Sequence, residues 1–256
     1  MPIKNMITRT IKEMKLRGRF AARKLGLSGW QIHQICLQDE KLIYIPIPKN
    51  ACTSIKQGLH QIEFGCIFDT NQPVNKPYVD VHDYYKKRSD AFSSTDALES
   101  STEFIRFAIV RDPVKRLISC YRNRVIDLEE LKKNESSLQK LGLDAMPDIN
   151  TFVLNLKEYR RVSKSIEHHS RPQASFFGNN LNYLDKIFPF DEIDQLHQFL
   201  KTYRPGLKFL KRKSGGTSFS VEELTDESLK SAVDFYHMDY QLLWDYYSSE
   251  EYLNRI

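Results

Sequence analysis

The chain has 256 residues, 41% of them hydrophobic and 12% aromatic, with a net charge of +5. That length supports one large core or two small ones, and no apolar run reaches the length of a membrane span. Residues 1–24 hold eight Lys and Arg against Glu13 alone, so the arm's +7 leaves −2 for the rest, which excludes a basic face spread over a domain and with it nucleic-acid binding.

Within the arm, taken as residues 1–40, Ile3, Ile7, Ile11 and Met14 recur at helical spacing and predict a basic amphipathic helix. Two readings compete: a surface helix packed on the domain, and peripheral contact with an anionic membrane or partner. Charges recurring from Lys4 to Lys24 leave no apolar stretch for a secretory leader. Cys36, Cys52, Cys66 and Cys120 show neither CxxC pairing nor zinc spacing, which points to reduced thiols and a cytoplasmic protein.

The domain proper, 41–256, opens with Lys41–Pro46 as a short buried strand. From Thr53 onward, Ile55, Leu59 and Ile62 mark one face of a helix. Phe104–Val110 reads as a second buried strand. Asp112 and Pro113 then supply an N-cap and a first-turn proline, and Val114, Leu117, Ile118, Tyr121 and Val125 line the helix that follows. Residues 126–180 are largely polar and helix-prone, broken at Pro147, and are expected to cap the carboxyl edge of the sheet. Tyr183–Phe190 predicts another strand, followed by a helix burying Ile193, Leu196 and Phe199. Lys211–Gly216 is a basic loop, and helices over 226–236 and 238–247 close the domain. Strand alternating with helix predicts an α/β fold, a three-layer sandwich around a central parallel sheet.

Two segments carry chemistry. Pro48-Lys49-Asn50-Ala51-Cys52-Thr53-Ser54 joins strand to helix and offers a cation, small side chains and two hydroxyls at a helix start, where backbone N–H groups face an anion. It lacks the glycines of a Walker A loop. The bland alternative is a lysine snorkelling at a strand end with Thr53 as an ordinary cap. Arg111 lies at the carboxyl end of the second strand, where open α/β sheets gather ligands, and its fork suits a phosphate. Ser119, eight residues on, is turned about 150° from the helix's apolar stripe and is not needed for the core.

Ile47–Lys56 and Val110–Asn123 together resemble the two donor-binding signatures of carbohydrate-type sulfotransferases, enzymes that use 3′-phosphoadenosine 5′-phosphosulfate (PAPS). His169–Gln173 and Phe235–Tyr247 are similar to later elements of that family. The resemblance implies a P-loop-like sulfotransferase fold, PAPS as donor, its bisphosphate PAP as product, and a carbohydrate or glycoconjugate acceptor. It assigns Lys49 to the phosphosulfate, with Asn50, Ala51, Cys52, Thr53 and Ser54 forming the 5′-phosphate loop, Arg111 and Ser119 on the 3′-phosphate, and Lys213 as a further donor-binding residue. Asp80, His169 and Gln173 are expected at the acceptor. Membrane-anchored Golgi members begin with a spanning helix and this chain begins with a basic arm, which leans toward a bacterial cytosolic enzyme.

Lys49 and the helix-start amides suit the charge that develops on a departing phosphate, and no carboxylate cluster suggests a metal. A hydroxyl nucleophile needs a base. Between the two motifs stand His60, beside apolar neighbours, and His82, two residues from Asp80; His82 is the expected base, with Asp80 and His169 in reserve. A kinase would call for glycines in the loop and acidic magnesium ligands, and neither is visible. A non-catalytic PAP-binding module would keep Arg111 and Ser119 but has no use for Lys49.

Overall fold

The computed structural model describes residues 32–72, 75–88, 90–92, 103–209 and 219–255. The expected basic helix, and the loop that carries Lys213, lie outside them.

Five strands form one sheet, β1 (Ile32–Leu37), β2 (Leu42–Ile45), β3 (Asp90–Phe92), β4 (Ile105–Val110) and β5 (Lys186–Pro189), in the order β3-β1-β2-β4-β5. β2, β4 and β5 run parallel, as expected of buried strands joined through helices. β1 and β3 pair antiparallel at the other edge, so the sheet is mixed rather than wholly parallel. The cause is a tight turn: β1 returns into β2 through Lys41, whose φ of 52° is left-handed, and so short a connection can only make an antiparallel pair. The sheet therefore takes in residues 32–37, ahead of the expected start at 41.

Alternation along the central strands sorts side chains onto two faces. Leu42, Tyr44, Phe107 and Ile109 face one core with α1 (Cys52–Phe64), α2 (Val81–Arg88) and the later helix Ile193–Tyr203. Ile43, Ile45, Ala108 and Val110 face the other, against Phe177, Tyr183 and Leu243. This is the three-layer arrangement predicted.

After β4, Asp112 accepts from the Lys115 amide at 2.8 Å and Pro113 opens α3 (Pro113–Cys120), as the cap signal predicted. The helix runs on as a π-helical turn, Tyr121–Asp127. Its stripe, Val114, Leu117, Ile118, Tyr121 and Val125, is buried, and it seeds a separate helical core. Into that core pack α4 (Glu135–Gln139), α5 (Ile149–Leu154), α6 (Leu156–Val162) and α7 (Lys164–Ser170). Then come α8 (Ala174–Phe177), α9 (Ile193–Tyr203), α10 (Asp226–Phe235), α11 (His237–Leu242) and α12 (Glu250–Leu253). The last predicted helix ends at Leu242, short of 247, and Tyr246 and Tyr247 follow in a turn.

The C-terminal helices fasten the lobe to the sheet. Asp239, fully buried, accepts from the Gln173 amide at 2.8 Å and the Ala174 amide at 2.7 Å, at the head of α8. Tyr236 donates to the Ser170 carbonyl at 2.7 Å, and Tyr247 to the Val110 carbonyl at 3.3 Å. Asp239→Ala orphans two buried amides at once, so a loss of about 2–5 kcal/mol is expected in urea denaturation. Asp239→Asn keeps one acceptor oxygen and should lose less; equal losses would show that packing, not amide satisfaction, sets the cost.

Candidate functional site

The loop from Pro48 to Ala51 leaves β2 with two non-glycine residues in left-handed conformation, Lys49 at φ 71° and Ala51 at φ 56°. Each costs on the order of 1–3 kcal/mol and persists only where its surroundings hold it. Asn50 does the holding. Its side chain is fully buried, and Nδ2 donates to the Ile109 carbonyl at 2.8 Å and to Gln173 Oε1 at 2.7 Å. The Cys52 thiol, its pKa raised by burial, donates back to the Ile47 carbonyl and closes the turn. Neither side chain reaches outward. Asn50 and Cys52, expected against the donor, are the struts of the loop, and only main chain there remains to face a ligand. Ala51 caps α1 with its backbone alone, and the first amides of that helix have no intrahelical acceptor.

Lys49 projects from this loop. Its Nζ donates to Asn123 Oδ1 at 2.8 Å, a neutral partner, on the π-helical turn. Burial, with Arg124 and Arg111 nearby, pulls its pKa down to about 8. Across from it, Arg111 Nη1 donates to the Lys49 carbonyl at 3.1 Å, and the guanidinium stacks 4.3 Å from the Phe190 ring centre. Burial lowers the Arg111 pKa. Two desolvated cations held by a neutral amide, a carbonyl and a ring form the donor set an oligophosphate needs and a metal ion would reject. Among the described residues no cluster of His, Cys, Asp and Glu could hold a metal. Ser119 is half-buried on α3, one turn before Asn123.

The other expected residues take different places. Gln173 is fully buried; its Oε1 accepts from the Arg111 amide at 3.1 Å and its Nε2 donates to the Arg111 carbonyl at 2.7 Å, so it is a structural tie and not an acceptor contact. His169 donates from Nδ1 to the Ser165 carbonyl at 2.8 Å, and its Nε2 accepts from Arg124 at 2.6 Å. Burial and Arg124 hold its pKa at about 3, so it is neutral at working pH and its lone pair is taken. It cannot serve as the reserve base. Asp80 and His82 do not lie on an extended strand: Asp80 caps α2 through the Asp83 amide at 2.8 Å, and His82 stands in the first turn. His82 Nε2 lies 2.8 Å from Thr53 Oγ1 and Nδ1 lies 3.2 Å from Lys56 Nζ. An ammonium at a lone pair is the wrong neighbour for a base. His60, as expected, is structural, buried between the Cys66 carbonyl and Asn75.

Three residues escaped the sequence reading. Arg116 is fully buried; it donates from Nη1 to the Pro48 carbonyl at 3.3 Å and the His169 carbonyl at 3.2 Å, and from Nη2 to the Arg171 carbonyl. Helical spacing turns it about as far from the apolar stripe of α3 as Ser119, so amphipathic reading alone leaves it in solvent, whereas its burial demands the partners it has. Arg124 donates to Glu130 at 2.8 Å as well as to His169. Lys56, one turn beyond Thr53, is buried rather than solvated.

Comparison with known proteins gives one family match and three curated relatives. The family described as "Sulfotransferase family" matches residues 33–246. The chain is similar to carbohydrate sulfotransferase 11 of Danio rerio, 29% identical over 93 residues, covering 36% of this chain and 26% of the relative. It resembles the proteins of the same name from Rattus norvegicus and Mus musculus, each 30% identical over 94 residues, with the same coverage. The chain thus spans about a quarter (26%) of the length of these relatives. No solved structure matches it.

The lowered Lys49 pKa makes anion binding proton-linked. A bound phosphate favours the ammonium and raises the pKa, so binding takes up a proton between the free value of about 8 and a lysine's ordinary 10.5, and affinity falls as pH rises through that window. Calorimetry of PAP binding at about pH 9, in two buffers of different ionisation enthalpy, should show uptake of a sizeable fraction of one proton. Below about pH 7 the ammonium is already present and this uptake vanishes; Lys49→Met should lose it at every pH.

Proposed function

The chain belongs to the sulfotransferase family, and on that premise we propose that it moves the sulfuryl group of PAPS onto a hydroxyl of a carbohydrate acceptor. One observation carries the donor assignment: Lys49 and Arg111, both desolvated and without an ion pair among the described residues, converge where β2 and β4 end and α1 begins. Supporting the acceptor class, the three relatives carry the name carbohydrate sulfotransferase. The helical lobe adds an open cleft of about 440 Å³ whose wall includes Glu130, Lys133, Ser163, Lys164 and Ser165, a lining suited to a hydroxyl-rich molecule. The four free cysteines and the basic arm support a reducing compartment and a peripheral membrane contact as part of the same proposal.

In this reading the acceptor oxygen bonds to sulfur as the sulfur–oxygen bond to the 5′-phosphate breaks. The hydroxyl proton leaves to a base, and PAP departs. The chain positions both partners and meets the charge growing on the bridging phosphate oxygen. Lys49 and the first amides of α1 are placed for that charge. Arg111 and Ser119 address the 3′-phosphate, with Phe190 fixing the plane of the guanidinium.

PAP should raise the melting temperature where ATP does not, and radiolabelled PAPS should give labelled glycan. Arg111→Ala should weaken PAP by about 2–4 kcal/mol while leaving AMP little changed, because only PAP has the 3′-phosphate. Equal losses would remove Arg111 from that phosphate. Lys49→Ala should lower turnover by about 10²–10³ with a smaller loss of donor affinity; unchanged turnover would take Lys49 out of the chemistry.

A further inference from the structure

The contacts of His82 have a direction. Thr53 and Lys56 stand three residues apart on one face of α1, and His82 from α2 lies between their polar ends. Burial lowers the Lys56 pKa, and the nearby Asp80 carboxylate opposes that shift and favours the ammonium. A Lys ammonium has three donors and no acceptor. Its contact at 3.2 Å can therefore only be donation into His82 Nδ1, which leaves the ring neutral with its hydrogen on Nε2. Nε2–H then donates to Thr53 Oγ1 at 2.8 Å. A threonine hydroxyl has one hydrogen. With its oxygen accepting from His82, that hydrogen is turned out of the relay, toward whatever anion lies at the start of α1.

We propose that Lys56, His82 and Thr53 form a one-way hydrogen-bond relay that ends on the donor's 5′-phosphate, with Lys56 and His82 as positioning residues and Thr53 as the group that touches the phosphate. The proposal rests on the donor reading above and names residues of that site. No proton is transferred along the relay. Each link polarises the next, so the threonine hydroxyl donates more strongly than a solvated one would. The ammonium's charge reaches the leaving oxygen without Lys56 having to enter the site. With the ammonium donating into Nδ1 that lone pair is occupied, and the attacking hydroxyl gives its proton to another group.

Glutamine separates a relay from a base. Its carbonyl can accept from Lys56 and its amide can donate to Thr53, yet it takes no proton near neutral pH. His82→Gln is expected to keep turnover within about fivefold of wild type with an unchanged pH–rate profile, whereas loss of a general base costs about 10²–10⁴. His82→Ala and Lys56→Met should each weaken PAP several-fold. In a Thr53→Val background His82→Ala should do almost nothing further, because both act through the one hydroxyl. Melting curves of each variant exclude simple unfolding. A His82→Gln enzyme as inactive as His82→Ala, with its acidic limb gone, overturns the relay and restores His82 as base; so do additive losses in the double variant. If wild-type protein is itself not stabilised by PAP, the donor reading fails; a stabilised wild type with an inert glutamine variant sinks the relay alone.

Discussion

The Gln173 carboxamide joins the three pieces from which the site is made. Its oxygen receives both the Arg111 amide and the Asn50 side chain, and its nitrogen donates to the Arg111 carbonyl. It treats the end of β4 as a neighbouring strand would, although it comes from the head of α8. Through Asn50 the same group fixes the loop after β2, which holds two left-handed residues that no glycine relieves. Asp239 holds Gln173 in turn through its amide, and Arg116 ties the Pro48 carbonyl to the end of α7. Gln173, Asn50, Asp239 and Arg116 are buried, so the bonds their side chains make are shielded from competing water, and loss of one leaves a costly orphan. The cradle is rigid for that reason, and it can aim backbone amides at an anion without reorganising.

Much of this was legible in the sequence, for identifiable reasons. The central strands announce themselves as apolar runs, and Asp112-Pro113 marks a helix start through local chemistry alone. Lys49 and Arg111 stand at strand ends, where the chain's direction fixes what they face. What the sequence hides is decided by partners far along the chain. Asn50 and Gln173 are 123 positions apart, and nothing near either says that they bond to each other rather than to a ligand. His82 looked like a base because a histidine beside an aspartate so often is one. The structure adds at its Nδ1 the amine of Lys56, a residue of another helix that amphipathic spacing alone would leave in solvent. The antiparallel edge is hidden from the sequence because β1 lies within residues 1–40, the range assigned to the basic arm.

The clustering of cations carries an energetic consequence. Lys49, Arg111, Arg116 and Arg124 gather around one loop; Glu130 is committed to Arg124, and Asp191 and Asp112 offset only part of the burial that lowers the Arg111 pKa. For Lys49 the displacement from 10.5 to about 8 corresponds to on the order of 3 kcal/mol against folding with the amine charged. The sign follows from the direction: the penalty is fully present below about pH 8, where the amine is charged in both states, and it fades as pH rises toward 10.5. An anion at the site removes the penalty by giving the ammonium its missing partner. Part of the stability spent on building the cradle thus returns as binding affinity, which ties donor recognition to folding through the same side chain. The two left-handed residues of the loop work in the same direction, since main-chain strain held by buried bonds keeps the amides aimed whether or not a ligand is present. A site of this construction discriminates by charge density. A dianionic phosphate satisfies Lys49 and the amides together, while a neutral molecule of the same shape would leave the ammonium as it found it, desolvated and held only by an amide oxygen.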